Sequence, residues 1–147
     1  MEFKIETKGF EDLFKRMDAV TQVDVIKRSL SMASIELAQW SADKRIAKLN
    51  KNRKQVLPDK LTARSDFGYK DKIFGQPPES VEKRGNSYFI QFGTNANNNG
   101  FSYPRLHEFG GQFVHARPVL TPAIQDEGNQ KMVLDIFINN INEALSK

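Results

Sequence analysis

The chain contains two histidines, His107 and His115, and the first is followed directly by Glu108. This arrangement could bind a metal, since a helical zinc-protease site uses two histidines four residues apart with a glutamate beside the first. Position 111 is glycine, however, so the second zinc ligand is missing, and no third ligand is evident. The chain also has no cysteine, which excludes thiolate ligands, disulfides and thiol catalysis. We therefore expect no bound metal and no other cofactor.

The same two histidines could act as the acid and the base of a metal-independent nuclease, with phosphate held by basic residues elsewhere in the chain. Nothing near them organises a nucleophile. The pair Gly110-Gly111 also lacks the Lys-Ser/Thr that follows the glycines of a phosphate-binding loop. We therefore expect no enzymatic activity, and a basic nucleic-acid-binding protein or nuclease that uses His107 and His115 remains the less favoured alternative.

Positive charge is concentrated in residues 44–64, which we call the basic segment. It holds eight basic residues and one acidic residue, a local net charge of +7, so the rest of the chain sums to −3 within a total of +4. Such a segment indicates a polyanion or an acidic partner, or else a solvated helix end followed by a basic loop. The candidate contacts with DNA or with a protein partner are Lys44, Arg45, Lys48, Lys51, Arg53 and Lys54.

Composition is that of a folded protein. Of the 147 residues, 39% are hydrophobic and 27% are charged. No stretch approaches the roughly 18 apolar residues of a membrane span, and the N-terminal residues lack the apolar run of a signal peptide. The absence of cysteine fits a reducing cytoplasm. We expect a soluble protein made in the cytosol, with a single domain over residues 1–147.

The first half of the chain predicts helices. Residues 3–7 alternate as a half-buried strand does, and residues 10–18 form a short amphipathic helix. A long helix capped by Thr21 follows and, if unbroken to Asn50, is roughly 43 Å long. Residues 51–80 form an irregular loop with a short strand at 72–74. The predicted buried stripe of the long helix is Val23, Ile26, Leu30, Ala33, Leu37 and Trp40.

The second half predicts a hairpin and a final helix. Residues 80–84 and 87–93 flank Gly85-Asn86, a pair suited to a two-residue turn. An Asn-rich surface loop occupies residues 93–102. Thr121 is expected to cap the last helix, with Pro122 at its first position. The hairpin residues expected to share a face are Tyr88, Ile90 and Phe92, and the predicted buried stripe of the last helix is Leu134, Phe137, Ile138, Ile141 and Leu145.

These elements predict an α+β fold, in which a small, mostly antiparallel sheet is packed by a long helix from the N-terminal half and by the C-terminal helix. The segment around the histidines then has an architectural interpretation. Tyr103, Leu106 and Phe109 share a helical face that stops at the glycine pair. Arg117 is extended because Pro118 follows it, and from there it could reach Glu108 in a charge-assisted pair.

A longer pattern in this region resembles the tail completion, or head–tail joining, proteins of tailed bacteriophages. The matching residues are Tyr103, His107-Glu108-Phe109-Gly110-Gly111 and Ala116-Arg117-Pro118-Val119-Leu120-Thr121-Pro122-Ala123. The layout is also similar: a short strand, a long early helix, a variable basic middle, a hairpin that leads into tyrosine, and a C-terminal helix. The structural residues of the motif are Tyr103, Glu108, Gly110, Gly111, Arg117 and Pro118.

The resemblance implies a non-enzymatic virion protein that forms a ring, commonly sixfold, in the neck between the DNA-filled head and the tail. Its partners would be further copies of itself and the neighbouring neck and tail proteins, such as a head-completion or stopper protein and a tail terminator. The basic segment would then line the channel beside DNA, without membrane contact, or dock on an acidic protein face. A tail terminator or minor tail subunit is the alternative within the virion.

Overall fold

Two helices lie side by side in the computed structural model, which describes residues 11–45, 73–94, 108–109 and 120–146. A short antiparallel hairpin packs against them, so the α+β prediction is confirmed. The helices are α1 (Glu11–Phe14), α2 (Ala19–Trp40), α3 (Thr121–Gln125) and α4 (Glu127–Leu145), with a π-helical turn at Ser41–Arg45 and a 3-10 turn at Pro78–Ser80. The strands are β1 (Glu82–Arg84) and β2 (Ser87–Phe89).

Helix α2 begins earlier than predicted, because Asp18 and not Thr21 is its cap. The backbone of Asp18 is extended, and its Oδ1 accepts a hydrogen bond of 2.8 Å from the Thr21 N–H. This bond to the charged form lowers the pKa of Asp18. A carboxylate at the cap position also interacts favourably with the helix dipole. Thr21 therefore lies inside the first turn.

Helix α2 also ends earlier than predicted. Its 22 α-helical residues correspond to about 33 Å, and the chain then continues as the π-helical turn Ser41–Arg45. Residues 46–50, which the prediction included in the helix, lie outside the described residues.

The main core lies between α2, α4 and the hairpin. Helices α2 and α4 are antiparallel, since Val25 near the start of α2 packs with Ile141 near the end of α4, while the far end of α2 contacts α3. Leu37, Ile90 and Phe137 are almost fully buried at the centre. The cluster of buried core residues comprises Leu30, Ala33, Leu37, Ala38, Val81, Ile90, Phe92, Leu120, Ala123, Val133 and Phe137.

The predicted stripe of α2 is right at its centre but too narrow. Leu30, Ala33 and Leu37 are buried, whereas the flanking Val23 and Ile26 are half-buried. The buried face also includes small polar residues that a hydrophobic pattern does not detect: Ser29, Ser31 and Ser34.

The predicted stripe of α4 is wrong at two positions. Phe137 and Ile141 are buried, but Leu134 and Ile138 are 45% and 37% exposed. The buried face of α4 instead includes Val133, one turn before Phe137, together with Asn129 and Asn140. Asn140 occupies a core position because its Nδ2 donates a hydrogen bond of 2.9 Å to Ser29 Oγ on α2.

The predicted hairpin and its turn are confirmed, but the strands are shorter than the predicted 80–84 and 87–93. Glu82 pairs with Phe89 and Arg84 with Ser87, which leaves Gly85 and Asn86 as the turn. Gly85 has a φ of +62°, a conformation that glycine adopts without strain. The expected strand at 72–74 is reduced, within the described residues, to a single bridge: the N–H of Phe74 donates to the carbonyl of Gly93 at 2.9 Å, and the reverse bond is 3.1 Å.

The predicted final helix is interrupted at Asp126. The extended backbone of Asp126 ends α3, and its Oδ1 accepts a bond of 2.9 Å from the Asn129 N–H to cap α4. Thr121 is not the cap of α3: the cap position belongs to Leu120, which has no capping side chain, and Pro122 is therefore the second helical residue. None of the helices in the described ranges is long and apolar enough to cross a membrane.

Candidate functional site

The structure describes three of the predicted site residues: Glu108, Lys44 and Arg45. Lys44 is exposed. Residues 11–45, 73–94, 108–109 and 120–146 contain no cluster of acidic or histidine side chains that could hold a metal. The expected Arg117–Glu108 pair lies outside the described residues, because Arg117 does. The other predicted positions outside them are Lys48, Lys51, Arg53, Lys54, Tyr103, His107, Gly110, Gly111, His115 and Pro118.

Glu108 binds the start of α3 with both carboxylate oxygens. Its Oε1 accepts a hydrogen bond from the Leu120 N–H. Its Oε2 accepts from the Thr121 hydroxyl at 2.9 Å and from the Thr121 N–H at 3.3 Å. We call this set of bonds the Glu108 clasp. It connects the two halves of the motif, which are separated by 12 to 13 residues in the chain.

The clasp supplies a cap that α3 lacks locally. The first N–H groups of a helix have no partner within the helix, and the Leu120 side chain cannot accept a hydrogen bond. The Glu108 carboxylate satisfies two of these groups, and its negative charge is favoured at the positive end of the helix. Leu120 and Ala123 are buried in the main core, so the clasp fixes the position at which α3 enters that core.

Glu108→Ala is expected to lower the free energy of unfolding by about 1–2 kcal/mol, because the cap is lost and two N–H groups lose their acceptor. Glu108→Gln should cost less, since the amide retains one acceptor oxygen. Chemical denaturation measures both changes. Glu36→Ala, at an exposed position on α2, is the control and should change stability by less than about 0.5 kcal/mol. A Glu108→Ala cost no larger than that of the control would contradict the capping role.

The basic segment starts from the π-helical turn. Ser41, the first residue of the turn, is completely buried, and its hydroxyl has no hydrogen-bond partner among the residues that the structure describes. Helix α3 contacts both α2 and this turn. The Glu108 clasp therefore positions the helix on which the start of the basic segment rests.

Residues 74–76 pack closely along α2. The Ser31 hydroxyl donates to the Gln76 carbonyl at 2.6 Å, and the Gln76 N–H donates to Ser34 Oγ at 2.9 Å. A Cβ on Gly75 would lie 2.4 Å from the Ile35 backbone nitrogen, so only glycine allows this approach. The sequence prediction missed this contact. The sequence feature that could have indicated it is the spacing of Ser31 and Ser34, which lie three residues apart on one face of the helix.

A cleft of about 450 Å³ lies between the first half of α2 and the end of α4. Arg28 lines it, with Nη2 3.6 Å from Glu143 Oε2. Its buried Nε has no hydrogen-bond partner within the described part of the chain. Arg16 and Arg28 are balanced by Asp18 and Asp24 in the lining, so the cleft has no net charge that would select an anion or a cation. We assign it no ligand.

No family model, no curated protein and no solved structure matches the chain. The resemblance to the phage tail completion proteins therefore depends on the motif between Tyr103 and Ala123 and on the order of the elements.

Proposed function

We propose that this chain is a structural subunit of the neck of a tailed bacteriophage. In this proposal, copies of the chain form a ring, with six as the expected number, that completes the tail and joins it to the DNA-filled head. The protein is assembled in the host cytoplasm and resides in the virion. It acts by binding other copies and neighbouring neck and tail proteins, without catalysing a reaction.

The Glu108 clasp is the observation that carries the proposal. Glu108 is the acidic residue beside His107 and is therefore the one that a zinc-protease interpretation would use. Both of its oxygens are instead engaged by Leu120 and Thr121, which belong to the second half of the motif. A carboxylate that caps a helix whose Ala123 is buried in the core supports an architectural role for the motif. The antiparallel packing of α2 and α4 with a hairpin also agrees with the layout of the resemblance.

The experiment is to locate the protein in particles. A tagged copy would be expressed in cells that produce the virus or prophage encoding it, and the purified particles would be labelled and imaged by electron microscopy. We expect label at the junction of head and tail. Removal of the gene should give filled heads and separate tails, and a His107→Ala, His115→Ala variant should restore joined particles.

Other outcomes would contradict the proposal. Label along or at the far end of the tail would indicate a minor tail subunit instead. Label on tails that have not yet joined a head would indicate a tail terminator. Absence of the protein from particles, together with RNA cleavage that the double histidine variant loses, would support the nuclease alternative.

A further inference from the structure

Met32 is a partly exposed methionine on α2, beside α4. It is 42% exposed, whereas Met17 is 8% exposed in the core cluster that contains Val25 and Ile141. Met132 is half-buried and lies between these extremes. Oxidation of methionine to its sulfoxide requires that the oxidant reach the sulfur, so it depends on exposure. Among the methionines that the structure describes, Met32 is therefore the most open to a small oxidant.

The sulfur of Met32 contacts the buried side chain of Asn140. Asn140 Nδ2 lies 3.5 Å from Met32 Sδ and 2.9 Å from Ser29 Oγ, so one amide group of α4 donates to two residues of α2. Asn140 is 6% exposed, and its hydrogen bond to Ser29 fixes the position of the amide. Two atoms at this separation are already in contact, so no molecule fits between them. One side of the sulfur is therefore closed by Asn140.

The closed side matters because the sulfur of a sulfoxide is chiral. A thioether sulfur has two lone pairs, and addition of oxygen to one or to the other gives the two opposite epimers. The Asn140 amide covers the side of one lone pair. An oxidant that reaches Met32 therefore meets the other lone pair first, on the side that faces away from Asn140.

We propose that Met32 is a site of oxidation by hydrogen peroxide and that Asn140 directs the reaction towards one sulfoxide epimer. The free lone pair of sulfur attacks one peroxide oxygen. The S–O bond forms as the O–O bond breaks, and the second oxygen leaves as water after proton transfer between the two oxygens. Sulfur loses two electrons and peroxide gains them. Asn140 is a positioning residue in this step, since it acts only through its contact with the sulfur.

This reactivity goes beyond the proposed neck function and does not depend on it. Both rest on different residues, because the neck proposal is carried by the Glu108 clasp. The isolated full chain is therefore sufficient for the experiment, and its outcome leaves the neck proposal unchanged.

The test is peptide mapping by mass spectrometry after brief treatment of the full chain with hydrogen peroxide. We expect the order of oxidation to be Met32, then Met132, then Met17. Chromatography of the Met32 peptide should separate the two epimers and show an excess of one. Addition on the closed side must first break the contact with Asn140, and the usual net contribution of a hydrogen bond corresponds to a roughly two- to tenfold excess. Treatment of the chain unfolded in urea should give nearly equal amounts.

Asn140→Ala removes the group that covers the sulfur, so the excess should fall towards equal amounts of the two epimers. Asn139→Ala is the matched control: Asn139 is the exposed neighbour of Asn140, and this variant should keep the wild-type excess. Circular dichroism shows whether Asn140→Ala remains folded. If it does not, the comparison of native with urea-unfolded wild type decides the question by itself.

Three results would each overturn the proposal. The first is oxidation of Met17 as early as that of Met32. The second is equal amounts of the two epimers at Met32 in the native wild type. The third is an unchanged excess in a folded Asn140→Ala variant, which would show that Asn140 does not direct the reaction.

Discussion

Replacing Phe137 by alanine is expected to lower the free energy of unfolding by about 4 kcal/mol, the largest effect of any single substitution considered for this chain. Phe137 is 1% exposed and belongs to the core cluster that joins α4 to α2 and to the hairpin. The substitution removes a complete aromatic ring from a packed interior. The helices and the hairpin around it cannot move together enough to fill the space, so the cost of a cavity is added to the lost burial.

The measurement is chemical denaturation followed by circular dichroism, and the matched control is Phe109→Ala. Phe109 is 74% exposed, so the same change in side chain should alter stability there by less than about 0.5 kcal/mol. Because both substitutions remove the same side chain, the difference between their effects on stability measures the contribution of burial. Equal effects at the two positions would mean that the core is not centred on Phe137.

Gly75→Ala is expected to lower the free energy of unfolding by about 3 kcal/mol, at the upper end of the usual cost of overpacking. The new methyl group would lie 2.4 Å from the nitrogen and 2.5 Å from the Cα of Ile35. Both are backbone atoms of a long helix, so relief requires residues 74–76 to move away from α2. That movement also weakens the hydrogen bonds of Gln76 with Ser31 and Ser34.

Gly85→Ala is the control for this substitution. A Cβ at Gly85 meets nothing within 4 Å, but its φ of +62° is unfavourable for alanine by about 1 kcal/mol. The same denaturation experiment should therefore rank Gly75→Ala well above Gly85→Ala. The opposite ranking would show that residues 74–76 do not pack directly on α2.

The sequence predicted those parts of the fold that depend on local patterns. The Gly85-Asn86 turn was found because a two-residue turn requires particular residue types. The start of α2 was placed three residues too late, since Asp18 and Thr21 are both capping residues and a pattern alone does not choose between them. The stripe of α4 was wrong at Leu134 and Ile138 because a large apolar residue does not have to be buried.

The candidate site was predicted only in part, because its observed hydrogen bonds are largely to backbone groups. Glu108 is predicted to be structural, with the charged side chain of Arg117 as its expected partner, and Arg117 lies outside the described residues. The partners that the structure shows are the N–H groups of Leu120 and Thr121 and the Thr121 hydroxyl. Backbone donors are present at nearly every residue, so no sequence pattern indicates which of them a carboxylate will reach.

The π-helical turn at Ser41–Arg45 has a consequence for insertions and deletions. A π-helical turn accommodates one residue more than an α-helical turn of the same span. Removing one residue from it would therefore restore ordinary helical geometry over the same span and leave the direction of the following chain unchanged. Removing one residue from the α-helical part of α2 would instead rotate everything beyond it by about 100° around the helix axis. Ser41–Arg45 is therefore the part of this helix in which the loss of one residue would be tolerated without redirecting the chain towards its most highly charged region.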